Sequence, residues 1–221
     1  MGEESTSNDF AHEQGLTKEQ VAERYCKWAQ NSKYERDLRE ENYKGPVIAA
    51  NAVADLFPNA AQKSSINILD AAAGSGFAAE KLKEKGFSMM DALEPSKGML
   101  TLAKEKDLYQ RTFQAFLDGK QLPIESDYYD VVLICGGMGE GHIPCAGMEE
   151  CIRMTKPGGY VVIVMREQYL SSVAEYKDRL EPHMKELTQK GKWEPVSRTV
   201  VPRYSFNNNG VVFVFKVKGS S

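Results

Sequence analysis

The feature that most constrains this chain is a short apolar run that ends in a glycine turn. Ile68-Leu69-Asp70-Ala71-Ala72-Ala73 leads into Gly74-Ser75-Gly76, and a helical segment follows over residues 77–85. An apolar run of that length, closed by glycines, reads as a buried strand. A strand that turns through glycine directly into a helix opens a βα unit of an open parallel sheet, and such sheets bind ligands outside the carboxyl ends of their strands. A pyrophosphate is a common guest of such a turn. Asp70 at the strand tip would repel it and attract a ligand that presents a cation instead.

The remaining pattern extends the same sheet. Residues 87–93 read as a second strand ending at Glu94, about 20 residues after Gly74, a spacing that suits a carboxylate accepting from ribose hydroxyls. Pro95 and the N-cap Ser96 open a helix to about residue 106. A weaker third strand is expected over 111–116, which leaves Leu117 and Asp118 to frame an adenine, with Pro95 and Met99 covering the ring. Residues 130–135 form a continuous apolar strand, as in a sheet covered on both faces. A glycine-rich loop spans 136–144 and a helix 145–155. Lys156-Pro157-Gly158-Gly159 turns into a fifth strand over 160–165. Residues 170–190 read as a helix that Pro182 kinks or splits. Two strands, 196–204 and 211–217, join across Asn207-Asn208-Asn209-Gly210, whose Asn-Gly is a hairpin signal. Strands alternating with helices and closing on a hairpin give one α/β sheet with an antiparallel edge.

Ahead of the first strand, residues 1–16 are polar and read as a disordered tail. Thr17-Lys18-Glu19-Gln20 is a capping box, followed by an apolar stripe of Val21, Tyr25, Trp28 and Ala29. A second helix is expected from about residue 46 to 56. The organisation is thus a tail (1–16), a helical N-terminal lid (17–60) and a ligand-binding domain (61–218). The chain has 221 residues, 42% of them hydrophobic, which suits one well-packed domain. Its 28 basic and 31 acidic residues leave a net charge of −3 and no general pull toward nucleic acid or an anionic membrane. No run approaches the roughly 20 apolar residues of a membrane span. Four cysteines without a CxxC pair and three scattered histidines give no metal-ligand spacing, so no metal is expected, and the thiols read as reduced in a cytoplasmic protein.

Residues 68–76, Leu93-Glu94-Pro95-Ser96 with Met99-Leu100, Leu122-Pro123, Tyr129-Asp130-Val131-Val132 and Arg153-Met154-Thr155-Lys156-Pro157-Gly158-Gly159 together resemble the class I S-adenosylmethionine-dependent methyltransferases. Tyr25-x-x-Trp28-Ala29-x-x-x-x-Tyr34 and Gly139-Glu140-Gly141-His142-Ile143-Pro144 resemble a narrower group, the methyltransferase-like protein of the Williams–Beuren syndrome region. The resemblance implies a Rossmann-like seven-stranded mixed sheet with helices on both faces and a C-terminal antiparallel hairpin. It implies S-adenosyl-L-methionine as cofactor and S-adenosyl-L-homocysteine as product. Asp70, Ala72, Gly74 and Gly76 would then lie at the cofactor with Glu94, Pro95, Ser96 and Met99. Leu117, Asp118, Cys135 and Gly136 would complete that site. The family usually has glycine where this chain has Ala72.

Methyl transfer from sulfur needs reactants held in line and water kept out, and a base only where the acceptor must lose a proton. His142, in the loop after the fourth strand, is the candidate base; a loop histidine bonded to backbone is the competing reading. Trp28, Tyr34, Tyr43 and Arg166 are candidates for holding the acceptor. Arg166 suits an acidic acceptor, and the aromatic residues, with Tyr25, suit a lid over a sulfonium. Tyr25 and Trp28 fit equally the buried stripe of an amphipathic helix. Pro144-Cys145 lies too late in its loop for a nucleophile. The expected partner is a small-molecule or protein methyl acceptor, without nucleic acid or membrane. Gly74-x-Gly76-x-x-Ala79 also satisfies the dinucleotide fingerprint, so an NAD(P)-dependent oxidoreductase is an alternative, as is a non-catalytic module that binds S-adenosylmethionine.

Overall fold

The structure, a computed structural model, describes residue 13 and residues 15–219. The tail expected over 1–16 therefore lies outside the described residues except at Glu13, Gly15 and Leu16. Seven strands form one sheet. Five of them, β1 (Asn67–Ala71), β2 (Met89–Leu93), β3 (Thr112–Phe113), β4 (Tyr129–Cys135) and β5 (Thr155–Arg166), pair in parallel. The last two, β6 (Trp193–Ser205) and β7 (Asn208–Val217), form the expected antiparallel hairpin, with β7 inserted beside β5. The order β3-β2-β1-β4-β5-β7-β6 reverses direction between β1 and β4, and a ligand crevice forms at such a switch point.

Alternate residues of the central strands feed two separate cores, because side chains of a strand alternate between faces. Leu69, Val132, Ile134 and Ile163 pack on one face with Met148 of α7 (Gly147–Met154) and Leu187 of α9 (Leu180–Gln189). Ile68, Val131, Leu133 and Val162 pack on the other with Ala49 and Val53 of α3 (Gly45–Leu56) and Leu82 of α5 (Phe77–Glu84). All four of these second-face strand residues are fully buried, at about 1.5–3 kcal/mol for each large aliphatic side chain. Two further helices matter to the site. Lys18–Trp28 forms α1, started by the expected capping box on Thr17 and Gln20, and Lys97–Glu105 forms α6, capped by Ser96. Short helices α2 (Lys33–Asp37), α4 (Ala60–Lys63) and α8 (Tyr169–Ser172) complete the described set.

Three local expectations are corrected. The third strand pairs only at Thr112 and Phe113; Phe116, Leu117 and Asp118 lie in the loop beyond it. That strand edges the sheet with β2 as its one neighbour, so no second ladder holds the chain extended. Residues 170–190 are split, but before Pro182 rather than at it: Asp178 takes a left-handed φ of 56° between α8 and α9. Pro182 sits in the first turn of α9, where a missing N–H leaves no hydrogen bond unmade. The hairpin turns at Phe206-Asn207, since Ser205 pairs with Asn208. Asn209 and Gly210 belong to β7, and a Cβ on Gly210 would lie 2.7 Å from the Tyr204 Cβ. Gly210 is thus required for packing rather than for turning.

Candidate active site

A cleft of about 960 Å³ opens at the switch point. Residues 72–75, Glu94, Pro95, Leu117, Asp118, Cys135 and Gly136 line it. Gly74 has φ +55°, and its N–H donates to Glu94 Oε2 at 2.9 Å; the Ser96 N–H donates to Oε1 at 2.7 Å. The turn after β1 and the end of β2 are therefore tied together by one buried carboxylate. Burial pushes Glu94 up to about 7 against the pull of its two amide donors. Each of its oxygens still has a lone pair for a ligand.

Asp70, Gly76, Ser96 and Met99 do not line the cleft. Asp70 lies one residue inside β1 rather than at its tip, fully buried, with Oδ2 accepting from the Tyr109 hydroxyl at 2.7 Å. Its Oδ1 has no hydrogen-bond partner, and burial raises the carboxyl to about 6. The expected direct grip on a cation is corrected accordingly: Asp70 lies beneath the turn and does not line the cleft. Gly76 is the N-cap of α5. Ser96 Oγ accepts from the Met99 N–H at 3.4 Å, and Met99 packs under Trp28. Ala72 takes the left-handed conformation, φ 73°, in which glycine is at home.

The N-terminal helices close the other side. Lys18 of α1 pairs with Asp118 at 2.5 Å and lies 4.8 Å from the centroid of the Phe116 ring. That ammonium holds the Asp118 carboxyl below its usual range. Cys26 Sγ accepts from the Gly98 N–H at 3.1 Å, fixing α1 against α6. Val21, Tyr25, Tyr34 and Tyr43 then face the cleft.

Behind the tyrosines lies a second chamber of about 430 Å³. It brings together Trp28, Tyr34, Tyr43 and Arg166, the four acceptor candidates, and shares Tyr25, Tyr34, Tyr43 and Gly136 with the cleft. Trp28 and Tyr34 meet edge to face at 4.9 Å, and the Trp28 indole N–H donates to Asp37 at 2.8 Å. His142 is half-buried in the cleft wall. Its Nδ1 lies 2.7 Å from the Glu140 carbonyl, which only accepts, so Nδ1 carries the proton and Nε2 accepts from the Tyr25 hydroxyl at 3.0 Å. Burial lowers its pKa and keeps the ring neutral. His142 is thus bonded to backbone, as in the competing reading, and also lines the cleft.

Tyr204, Ser205, Tyr169 and Lys18 were not read from the sequence as site residues. Tyr204 and Ser205 face inward because the β6–β7 register shifts between Val201 and Ser205, with Arg203 at φ 54°. No motif marks that irregularity. The Cys135 thiol is pushed up to about 12 and Cys145 to about 11, both chiefly by burial, so neither supplies a thiolate. Among the described residues no cluster of His, Cys, Asp and Glu could hold a metal ion, and no helix is long and apolar enough to cross a membrane.

A family model described as "Methyltransferase domain" matches residues 69–163, which contain the turn, Glu94 and the ligand-facing ends of the first four strands. The human Methyltransferase-like protein 27 is 35% identical over 170 residues, covering 77% of this chain and 66% of that protein. Residues 69–163 belong to the methyltransferase-domain family. Demethylmenaquinone methyltransferase of Corynebacterium glutamicum is 34% identical over 101 residues, 46% of this chain and 42% of its own length. The chain thus spans just under two thirds of the human relative and less than half of the bacterial one. Among solved structures, a TehB-like SAM-dependent methyltransferase from Corynebacterium glutamicum aligns with a TM-score of 0.60 at 16% identity, covering 88% of this chain and 98% of that one. A chain from the complex between the Haloferax volcanii Trm112 methyltransferase activator and a methyltransferase gives 0.65 at 14% identity, with the same coverage. At such identities these two structures support the fold of this methyltransferase and nothing finer.

Proposed function

We propose that this methyltransferase uses S-adenosyl-L-methionine, held in the larger cleft, to methylate an acceptor held in the smaller chamber. The observation that carries the reading is the buried Glu94 carboxylate clamped between the Gly74 and Ser96 amides at the cleft wall. The residues present fit the cofactor. The cleft is lined mainly by apolar and aromatic side chains with a few convergent polar groups, the make-up of a small-ligand site. Its acids, Glu94 at the wall and Asp70 below with an unpartnered oxygen, suit a ligand bearing an ammonium and a sulfonium and oppose a pyrophosphate. The dinucleotide alternative has no feature of its own in the site.

When bound, the cofactor supplies a methyl group on positively charged sulfur, open to in-line attack by a lone pair of the acceptor. Glu94 accepts from the ribose hydroxyls. Pro95 and Leu117 flank the adenine, and Asp118, oriented by Lys18, faces its amino edge. Ser96, Met99 and Gly76 position these groups from outside the cleft. The tyrosines of the 17–60 lid exclude water, which strengthens every charge interaction inside. His142, neutral and unprotonated at Nε2, takes the acceptor's proton where one must leave, directly or through the Tyr25 hydroxyl. Four free thiols accord with a reducing, cytoplasmic setting.

Isothermal calorimetry of the whole chain tests the reading. S-adenosylhomocysteine and S-adenosylmethionine are expected to bind, and NAD and NADP to show no heat. Binding of a nicotinamide cofactor without the adenosyl ligands would overturn the assignment. Transfer of a labelled methyl group to a metabolite or protein panel then separates an enzyme from a binding module.

A further inference from the structure

We infer that the methyl acceptor is a small organic anion, a carboxylate on an aromatic or apolar body, and that Arg166 selects it; the inference rests on the methyltransferase reading above. Arg166 ends β5, where its backbone pairs with Gly210. Its Nη2 donates to Ser205 Oγ at 2.9 Å, and its guanidinium carbon lies 5.2 Å from the Tyr169 ring centroid. Its Nε is buried with no hydrogen-bond partner, and no described carboxylate pairs with it. Arg166 as a whole is half-buried, but a cationic N–H shielded from water without an acceptor is costly, and native proteins rarely leave one.

The surroundings say which ligand relieves that cost. No acidic residue lines the chamber; its one charged lining group is Arg166. Its walls are the rings of Trp28, Tyr34, Tyr43, Tyr169 and Tyr204. The neighbouring cleft has the opposite character, with Glu94 and Asp118. Acid on the donor side and guanidinium on the acceptor side sort a cationic donor from an anionic acceptor. A cationic amine would be repelled by Arg166, and a neutral acceptor, even one that accepts from Nε, would supply no counter-charge. A planar guanidinium offers parallel N–H donors that match a carboxylate. The chamber adjoins the cleft through Tyr25, Tyr34, Tyr43 and Gly136, which line both.

The test uses the whole chain saturated with S-adenosylhomocysteine and two matched probe pairs: 3-phenylpropanoate against 3-phenylpropanamide, and 4-hydroxyphenylacetate against its amide. Calorimetry is expected to show at least one acid binding about tenfold more tightly than its amide. In Arg166→Gln that preference should vanish, with S-adenosylhomocysteine affinity within about twofold of the parent. Arg166→Lys, which retains charge without the fork, should keep a reduced preference. A merely structural Arg166, pinning Ser205 and Tyr169, would not alter acid–amide discrimination. Equal binding of acid and amide, no binding of either acid at millimolar concentration, or a preference that survives Arg166→Gln or is undiminished in Arg166→Lys overturns the inference. Failure of S-adenosylhomocysteine to bind the parent protein, seen in the first titration, would instead remove the methyltransferase reading itself.

Discussion

Glu94 concentrates the site's chemistry in one side chain. Removing it takes away charge-assisted hydrogen bonds to a ligand and leaves the Gly74 and Ser96 amides without acceptors. Glu94→Ala is therefore expected to weaken S-adenosylhomocysteine binding by about 1.5–3 kcal/mol in calorimetry; unchanged affinity would take the ribose role away from it. Its carboxyl titrates near 7 in the free protein. A ligand whose hydroxyls favour the carboxylate should bind more tightly as pH rises from 6 to 8 and level off above that range. A flat profile would mean that the carboxylate's ionisation is not sensed by the ligand. Ala72 poses a different residue-scale question. Its left-handed backbone costs about 1–2 kcal/mol, partly offset by the lower chain entropy of alanine relative to glycine. Ala72→Gly should gain about 0.5–1 kcal/mol in urea unfolding. A loss would show that its methyl, packed where a Cβ on Gly137 would fall 2.5 Å away, matters more than the backbone.

At the scale of elements, α1 and the β6–β7 hairpin decide what closes over the sheet. Lys18 joins α1 to the loop after β3, and the pair is partly exposed, so its worth is about 0.5–1 kcal/mol. Lys18→Met should speed hydrogen exchange over residues 18–28 while leaving residues 67–71 protected; equal protection in both segments would deny the latch. The hairpin presents Tyr204 and Ser205 to the chamber only because Gly210 leaves room for the Tyr204 side chain. Gly210→Ala should cost about 1–3 kcal/mol of stability through overpacking and displace Tyr204. These elements also show where sequence reading works. Periodic helices and apolar strands were legible, as with the Thr17 capping box and β4, because their signals are local. The Asn-Gly pair misled, because the glycine there answers to a neighbouring ring rather than to a turn. Pro182 misled for a similar reason, since proline both breaks a helix and begins one.

Over the whole molecule, buried acids set the pH response. Asp70 moves from 3.8 to about 6 and Glu94 from 4.5 to about 7 on folding. Between those limits the folded protein holds protons that the unfolded chain has released, so these two groups make stability fall as pH rises toward 7. Their contribution is present in full below the unfolded values and is lost as pH climbs through the folded ones. Urea midpoints across pH 5–8 should show Glu94→Gln flattening that decline; a mutant with the parent's slope would place the effect elsewhere. Cofactor binding is expected to act in the opposite direction near neutral pH, since it favours the ionised form of Glu94.

The succession of strands and helices, the glycine turn and the spaced acid were determined by the sequence alone, because each rests on local backbone preference or on periodicity along one element. Tertiary structure alone decided that Asp70 lies beneath the turn and that Asp118 is tied to Lys18. It also decided that four distant aromatic and basic residues enclose one chamber, with Tyr204 brought in by an irregular strand. Contacts between residues far apart in the chain follow from how layers pack, and no short stretch of sequence carries that packing.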